Sequence, residues 1–210
     1  MTNYRHSPEN LDIFDAFQTP QSLASMCVAT LREKIALPPH LIIEPSAGRG
    51  AFVKAARSEW GPSVEIRAVD IDPTAEPHLI AAGANTVDIV DWDKWTGGVA
   101  NRTLILGNPP FRWSTRHIEV GLQRLGDTSA SEPLERYLGF VLNGQFFLGG
   151  LDRWNRVMKR GSLRYVWGIV GRPKYWSVNQ QRFGGSSENA FCVWQAGWRG
   201  PYEGGWLEWR

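Results

Sequence analysis

Short apolar runs that each end on a polar or acidic residue, separated by stretches of helical spacing, constrain this 210-residue chain more than any other feature. Leu41-Ile42-Ile43 ends on Glu44, and Val64–Val69 ends on Asp70. The run Thr86–Val90 carries Asp88 and Ile89, and Thr103–Leu106 leads through Gly107 into Asn108. Runs this short, rich in Ile, Leu and Val, read as strands buried on both faces. Thr19-Pro20 supplies an N-cap and a first-turn proline for a helix whose Leu23, Cys27, Leu31 and Ile35 fall on one face. Pro38-Pro39 stops that helix. Further helical stretches are expected at about Ala51–Glu59, before Gly83, at Thr115–Leu125 and at Leu151–Arg160, with strands at Tyr137–Leu142, Leu163–Val170 and Ala190–Ala196. Strands alternating with helices predict an α/β fold, a mostly parallel seven-stranded sheet covered on both faces. No helix precedes Ala190, so the last strand is expected to insert antiparallel.

The length fits one domain, 1–210, with a polar lead over residues 1–16 and no internal repeat. No run approaches the ~18 apolar residues of a membrane span, and the N-terminus lacks the apolar core of a signal peptide. Cys27 and Cys192 are distant and form no CxxC, the usage of reduced thiols in a cytoplasmic protein. The net charge of +2 is uneven: residues 1–150 carry 13 Lys/Arg against 17 Asp/Glu, and residues 151–210 carry 10 against 4. Seven of the 11 tryptophans lie in that basic stretch. Two readings fit: a nucleic-acid surface, where cations meet phosphate and rings meet bases, or core strands with a solvated basic rim.

In an open α/β sheet, ligands lie beyond the carboxyl ends of the strands. Glu44-Pro45-Ser46-Ala47-Gly48-Arg49-Gly50 occupies the first such end, its glycines allowing backbone to approach a ligand. It is not the G-x-G-x-x-G dinucleotide fingerprint, and its leading acid suits a cationic or amino-bearing ligand better than a pyrophosphate. Asp70 is placed to accept hydrogen bonds from ribose hydroxyls, and Asp88 from an adenine amino group. Asp72, ahead of Pro73, reads more simply as a helix cap.

Asn108-Pro109-Pro110-Phe111 follows the fourth strand. Prolines remove donors and fix φ, so the carbonyls beside them are held stiffly. The Asn108 side-chain oxygen and the Pro109 carbonyl can both accept from one –NH2 group, and Phe111 offers a face on which a planar base can stack. Such a corner is built to hold an exocyclic amine.

In order and spacing these residues resemble γ-class DNA adenine-N6 methyltransferases, which use S-adenosylmethionine. The resemblance covers residues 17–111 and implies a Rossmann-like class I methyltransferase fold. Thr19 and Pro20 match the element bordering the methionine part of the cofactor. Glu44, Ser46, Ala47, Gly48 and Gly50 match the loop around its amino acid end. Asp70 matches the ribose acid, Ile71 its adenine-packing neighbour, and Asp88 the adenine acid. Asn108, Pro109, Pro110 and Phe111 match the catalytic motif, of which Asn108 and Pro110 also touch cofactor. Ile89 stands where the family often places an aromatic beside the cofactor adenine. About 14 residues follow the last expected strand, too few for a separate target-recognition domain; the chain resembles the compact versions seen in phages and mobile elements. The implied partner is DNA, with RNA also open, and no metal is needed; another amino-methyltransferase, or a catalytically silent subunit that binds cofactor or nucleic acid, is the alternative.

The polar loop 171–189 is long enough to suggest function. In the resembled family an aromatic between the last two strands helps wall the target-base pocket, so Lys174, Tyr175 and Trp176 are candidates; a loop aromatic folded onto the core is the alternative. Arg153, Arg156, Lys159 and Arg160 cluster on one expected helix, either a solvated face or a phosphate contact. His117 reads as a helix-surface residue.

Overall fold

A computed structural model describes residues 17–127, 129, 133–146, 150–159, 162–177, 182–183 and 188–209. The polar lead, Arg160 and residues 178–181 and 184–187 of the long loop lie outside the described residues. The chain runs β1 (Phe17–Gln18), α1 (Gln21–Arg32), β2 (Leu41–Pro45), α2 (Ala51–Trp60), β3 (Glu65–Asp70), α3 (Glu76–Ala82), β4 (Thr86–Ile89), β5 (Thr103–Gly107), α4 (Ser114–Arg124), β6 (Arg136–Asn143), α5 (Leu151–Arg153), β7 (Leu163–Val170), β8 (Trp176–Ser177), β9 (Arg182–Phe183), β10 (Asn189–Gln195) and β11 (Glu203–Glu208).

The main sheet has the order β11-β7-β10-β6-β5-β2-β3-β4. Its strands are parallel except β10, which runs antiparallel to both β6 and β7. This is an α/β Rossmann-like fold, with one strand more than the seven expected. The extra strand, β11, pairs parallel with the free side of β7 and lays Trp206 over Gly168, where any Cβ would collide with the indole. The expected helix Leu151–Arg160 is instead a short α-turn that passes into a π-helical turn at Trp154–Met158.

Strand alternation sorts the core into two layers. On one face, Ile42, Ile66, Ala68, Leu104 and Leu106 pack under α1, α2 and α3 through Leu23, Cys27, Leu31, Phe52, Val53 and Leu79. On the other, Ile43, Val69, Ile105, Leu138 and Phe140 pack under α4 and the turns carrying Trp92, Trp95 and Val157. Cys27 and Cys192 are buried as free thiols. No helix among the described residues is long and apolar enough to cross a membrane.

The basic C-terminal stretch serves the fold more than its composition suggests. Trp167 and Trp194 are core residues, the Trp209 indole donates to Ser22 Oγ, and Arg164 lies 3.6 Å from the Trp198 ring. Arg156, Arg164, Arg172 and Arg199 each pair with a carboxylate. Arg153 donates to the Phe146 carbonyl and lies over that ring, holding α5 to the turn after β6, while Arg156 grips Glu119 through two nitrogens and ties the π-helical turn to α4.

Candidate active site

The carboxyl ends of β2, β3, β4 and β5 meet at one edge of the sheet. There β2 turns into α2 through a backbone that few side chains tolerate. Ser46, Gly48 and Gly50 have φ of +56°, +54° and +77°, and Ser46 is the one non-glycine residue with positive φ among the described residues. A Cβ on Gly50 would stand 2.8 Å from the Ala82 Cβ, and one on Gly48 would stand 2.9 Å from Gln18 Oε1. Glycine is favoured at both for conformation and required at Gly50 also for space, since the Gln18 side-chain end can move away from Gly48.

Two buried carboxylates hold this turn in place. Glu44 Oε2 accepts the Val53 N–H at 2.7 Å, serving one of the donors that the first turn of α2 leaves without a helical partner. Burial raises the Glu44 carboxyl well above its ordinary range; hydrogen bonds from Val53 and Phe52 oppose the rise, and nearby Asp70 adds to it. Asp70 Oδ2 accepts the Gly48 N–H at 2.7 Å and Oδ1 accepts the Asp72 N–H at 2.9 Å. Burial raises its pKa too, against those same hydrogen bonds. Asp72 Oδ1 accepts the Thr74 N–H and so caps the next turn, as expected.

The acid on β4 departs from expectation. Asp88 pairs with Val69 in the sheet, so it faces the α4 side with the second core layer. Its Oδ2 accepts the Trp95 indole N–H at 2.7 Å. It borders a cavity of about 510 Å³ with Arg67, Lys94 and Trp95 rather than the loop after β2. Ile89, in register with Asp70, lies on the same face as Asp70 and Glu44. Asp91, half-buried just past the strand end, caps the following turn by accepting the Asp93 N–H on Oδ1 at 3.0 Å. Ile71 and Ile89 are both partly exposed, at 37% and 39%.

The corner after β5 draws on both ends of the chain. Asn108 Nδ2 donates to Thr19 Oγ1 at 3.1 Å, whereas Asn108 Oδ1 is sealed from solvent with no hydrogen-bond partner. The Pro110 carbonyl accepts the Trp113 N–H and closes a 3-10 turn, Phe111–Trp113. Ser114 Oγ donates toward the Pro110 and Phe111 carbonyls, tying α4 to the motif. Contrary to expectation, Pro20 and not Thr19 stands at the N-cap position of α1, which has no side-chain cap, and Thr19 serves Asn108 instead; Gln18 Oε1 accepts the Arg49 N–H from the loop after β2. β1 pairs with β8, setting Gln18 opposite Trp176. Tyr175, just before β8, is buried and meets Phe111 edge-on, while Lys174 is exposed. Tyr175 is thus the aromatic folded onto the core, backing Phe111.

His117 is missed by the reading of the sequence, which puts it on a helix surface. It is buried, with Nε2 2.9 Å from Ser46 Oγ and Nδ1 3.2 Å from the Trp113 carbonyl. Burial holds its pKa below the usual histidine range. Its one sequence signal is that it precedes Ile118 on the apolar side of α4.

No protein-family model matches the sequence, and no curated protein is similar to it in sequence. Solved structures share the fold. A protein of Pyrococcus horikoshii provisionally described as an RNA methyltransferase is similar with a TM-score of 0.65 and 13% identity, over 86% of this chain and 87% of that one. The type I restriction-modification methyltransferase subunit of Streptococcus thermophilus gives 0.59 and 13% over 86% of this chain, which spans only 45% of that subunit. A TehB-like S-adenosylmethionine-dependent methyltransferase of Corynebacterium glutamicum gives 0.52 and 13%, over 81% and 87%. At these identities the likeness concerns the fold.

Proposed function

We propose that this chain transfers a methyl group from S-adenosylmethionine to the exocyclic amine of adenine in DNA. The observation that carries the reading is Asn108 Oδ1, a buried acceptor without a partner at the end of β5. A buried acceptor left unpaired costs about 1–3 kcal/mol, which an incoming N–H would recover. Its sibling Nδ2 is held by Thr19, so the amide keeps its acceptor in a fixed place. With Pro110's carbonyl committed to Trp113, the Pro109 carbonyl is the proposed second acceptor. Two acceptors on one –NH2 draw its nitrogen toward tetrahedral geometry and free its lone pair for attack. Because Oδ1 is sealed, admission of a base requires a local opening.

The residues at the neighbouring strand ends fit the cofactor. Asp70 is the proposed ribose acceptor, and Ile71 and Ile89 supply apolar walls for an adenine ring. Because the Asp88 carboxylate is taken by the Trp95 indole, Asp91, just past the end of β4, is the proposed acceptor for the adenine amine in its place. Glu44, Ser46, Ala47 and Gly48 form the proposed surround of the amino acid end, with Thr19 and Pro20 beside it. Bound there, the cofactor would supply a methyl group on a positively charged sulfur that departs as a neutral thioether. Positioning and electrostatics are the chain's own contributions. In a duplex the base must leave the stack, and a face of Phe111 worth about 1–3 kcal/mol offsets part of that cost.

An RNA acceptor is the second reading, favoured by the likeness to the Pyrococcus protein. The test is incubation with labelled S-adenosylmethionine and separate single-stranded DNA, duplex DNA and RNA, followed by digestion and mass detection of the methylated nucleoside. N6-methyladenine from DNA is the expected product. Label appearing only in RNA selects the second reading, and label in none of them defeats both.

A further inference from the structure

We propose that His117 is a positioning residue, which holds the loop after β2 in register with the corner after β5. Ser46 carries a φ of +56°, a conformation that L-residues resist and glycine adopts freely. Its hydroxyl lies 2.9 Å from His117 Nε2. The other ring nitrogen is 3.2 Å from the Trp113 carbonyl. A carbonyl only accepts, so Nδ1 carries the proton and Nε2 accepts from the Ser46 hydroxyl. The imidazole therefore links the loop after β2 to the first turn of α4, which follows directly on the corner after β5.

One end of this bridge fixes the left-handed residue that sets the course of Ala47 and Gly48, whose N–H is directed to Asp70. The other end is a bond to the carbonyl four residues back, at Trp113, the N-cap of α4 and last residue of the 3-10 turn that begins at Phe111; it sets the tautomer and aim of the ring. Movement of the loop after β2 relative to α4 must break the Ser46–His117 bond. In the proposed reaction the loop after β2 and the corner after β5 bring cofactor and target base together, so the inference rests on that reading for its consequence and on geometry for the bridge itself.

The test is calorimetry with S-adenosylmethionine on the full chain and on His117→Ala, Ser46→Gly and the double variant. His117→Ala is expected to weaken binding about tenfold when Ser46 is present, the loss of one buried hydrogen bond. In the Ser46→Gly background the same change should cost less than about threefold, because glycine takes the required φ unaided. Equal losses in the two backgrounds, or no loss in either, overturn the proposal. Should His117→Ala fail to fold, Ser46→Ala removes the hydroxyl and leaves the ring packed; it is expected to show the tenfold loss, and an unchanged affinity counts against the bridge. If the unaltered chain binds no cofactor, the cofactor reading falls by itself. The same four-variant cycle read in urea midpoints then decides whether His117 supports Ser46.

Discussion

The ring of Tyr175 meets the ring of Phe111 edge-on, with centroids 6.0 Å apart and planes at 85°. Such pairs are worth about 0.5–1.5 kcal/mol beyond area burial. The Tyr175 hydroxyl is buried and lacks a hydrogen-bond partner, and burial raises its pKa, so it contributes nothing through ionisation near neutrality. Tyr175→Phe is therefore expected to leave stability unchanged or raise it by up to about 1 kcal/mol. Tyr175→Ala removes the backing of Phe111 and should cost about 3 kcal/mol, both read from urea unfolding.

If Phe111 provides a stacking face, Phe111→Trp should retain activity within a few fold and Phe111→Ala should lower kcat/KM about tenfold or more. Steady-state kinetics on an adenine-containing oligonucleotide measures both. Indifference to the two changes would remove the stacking role.

The acids on and beyond β4 separate cleanly in calorimetry. Asp91→Ala should weaken S-adenosylmethionine binding about tenfold, as should Asp70→Ala. Asp88→Asn should alter affinity by less than about threefold, because its carboxylate faces Trp95. It should instead lower stability by about 1 kcal/mol.

Gly50→Ala is expected to destabilise the fold by about 2 kcal/mol or more. The new methyl would sit 2.8 Å from Ala82 Cβ on a residue whose φ is +77°. Thermal unfolding measures the loss; an unchanged midpoint would show that the turn into α2 is softer than its geometry.

Glu44 and His117 give stability opposite slopes with pH. Burial raises the folded Glu44 pKa above 4.5, so the native state keeps that proton longer than the unfolded chain. Wild type should lose stability relative to Glu44→Gln as pH climbs above 4.5, with little difference below it. For His117 the folded pKa lies below 6.5, so the stability present above that pH is lost as pH falls through and below it. Urea midpoints across the range, with His117→Gln as the second reference, should show the two trends crossing.

The centre of the parallel half of the sheet is legible in the sequence because β2 and β5 are buried on both faces. Leu41–Glu44 and Thr103–Leu106 can only be core, and their observed limits differ from the expected ones by a residue. β11 is illegible for the opposite reason. Glu203-Gly204-Gly205-Trp206 is exposed and glycine-rich, and it becomes a strand only because β7 offers an open edge. The π-turn at Trp154–Met158 carries no periodic signal that separates it from a helix. In the site, the residues at strand ends are found by position, but the face that Asp88 occupies is set by the register of β4 on β3, and that pairing is not written in the local sequence. His117 is hidden because a lone histidine on a helix has no pattern; its partners come from Ser46 and the Trp113 carbonyl.

The short pairing of Phe17–Gln18 with Trp176–Ser177 has a consequence for how the molecule matures. Thr19, which steadies Asn108, is anchored by a ribbon whose other half is made some 150 residues later. A nascent chain can close its central strands as they emerge, yet it must wait for the far segment before that amide is set. Incomplete products, however well packed in the middle, should be inert.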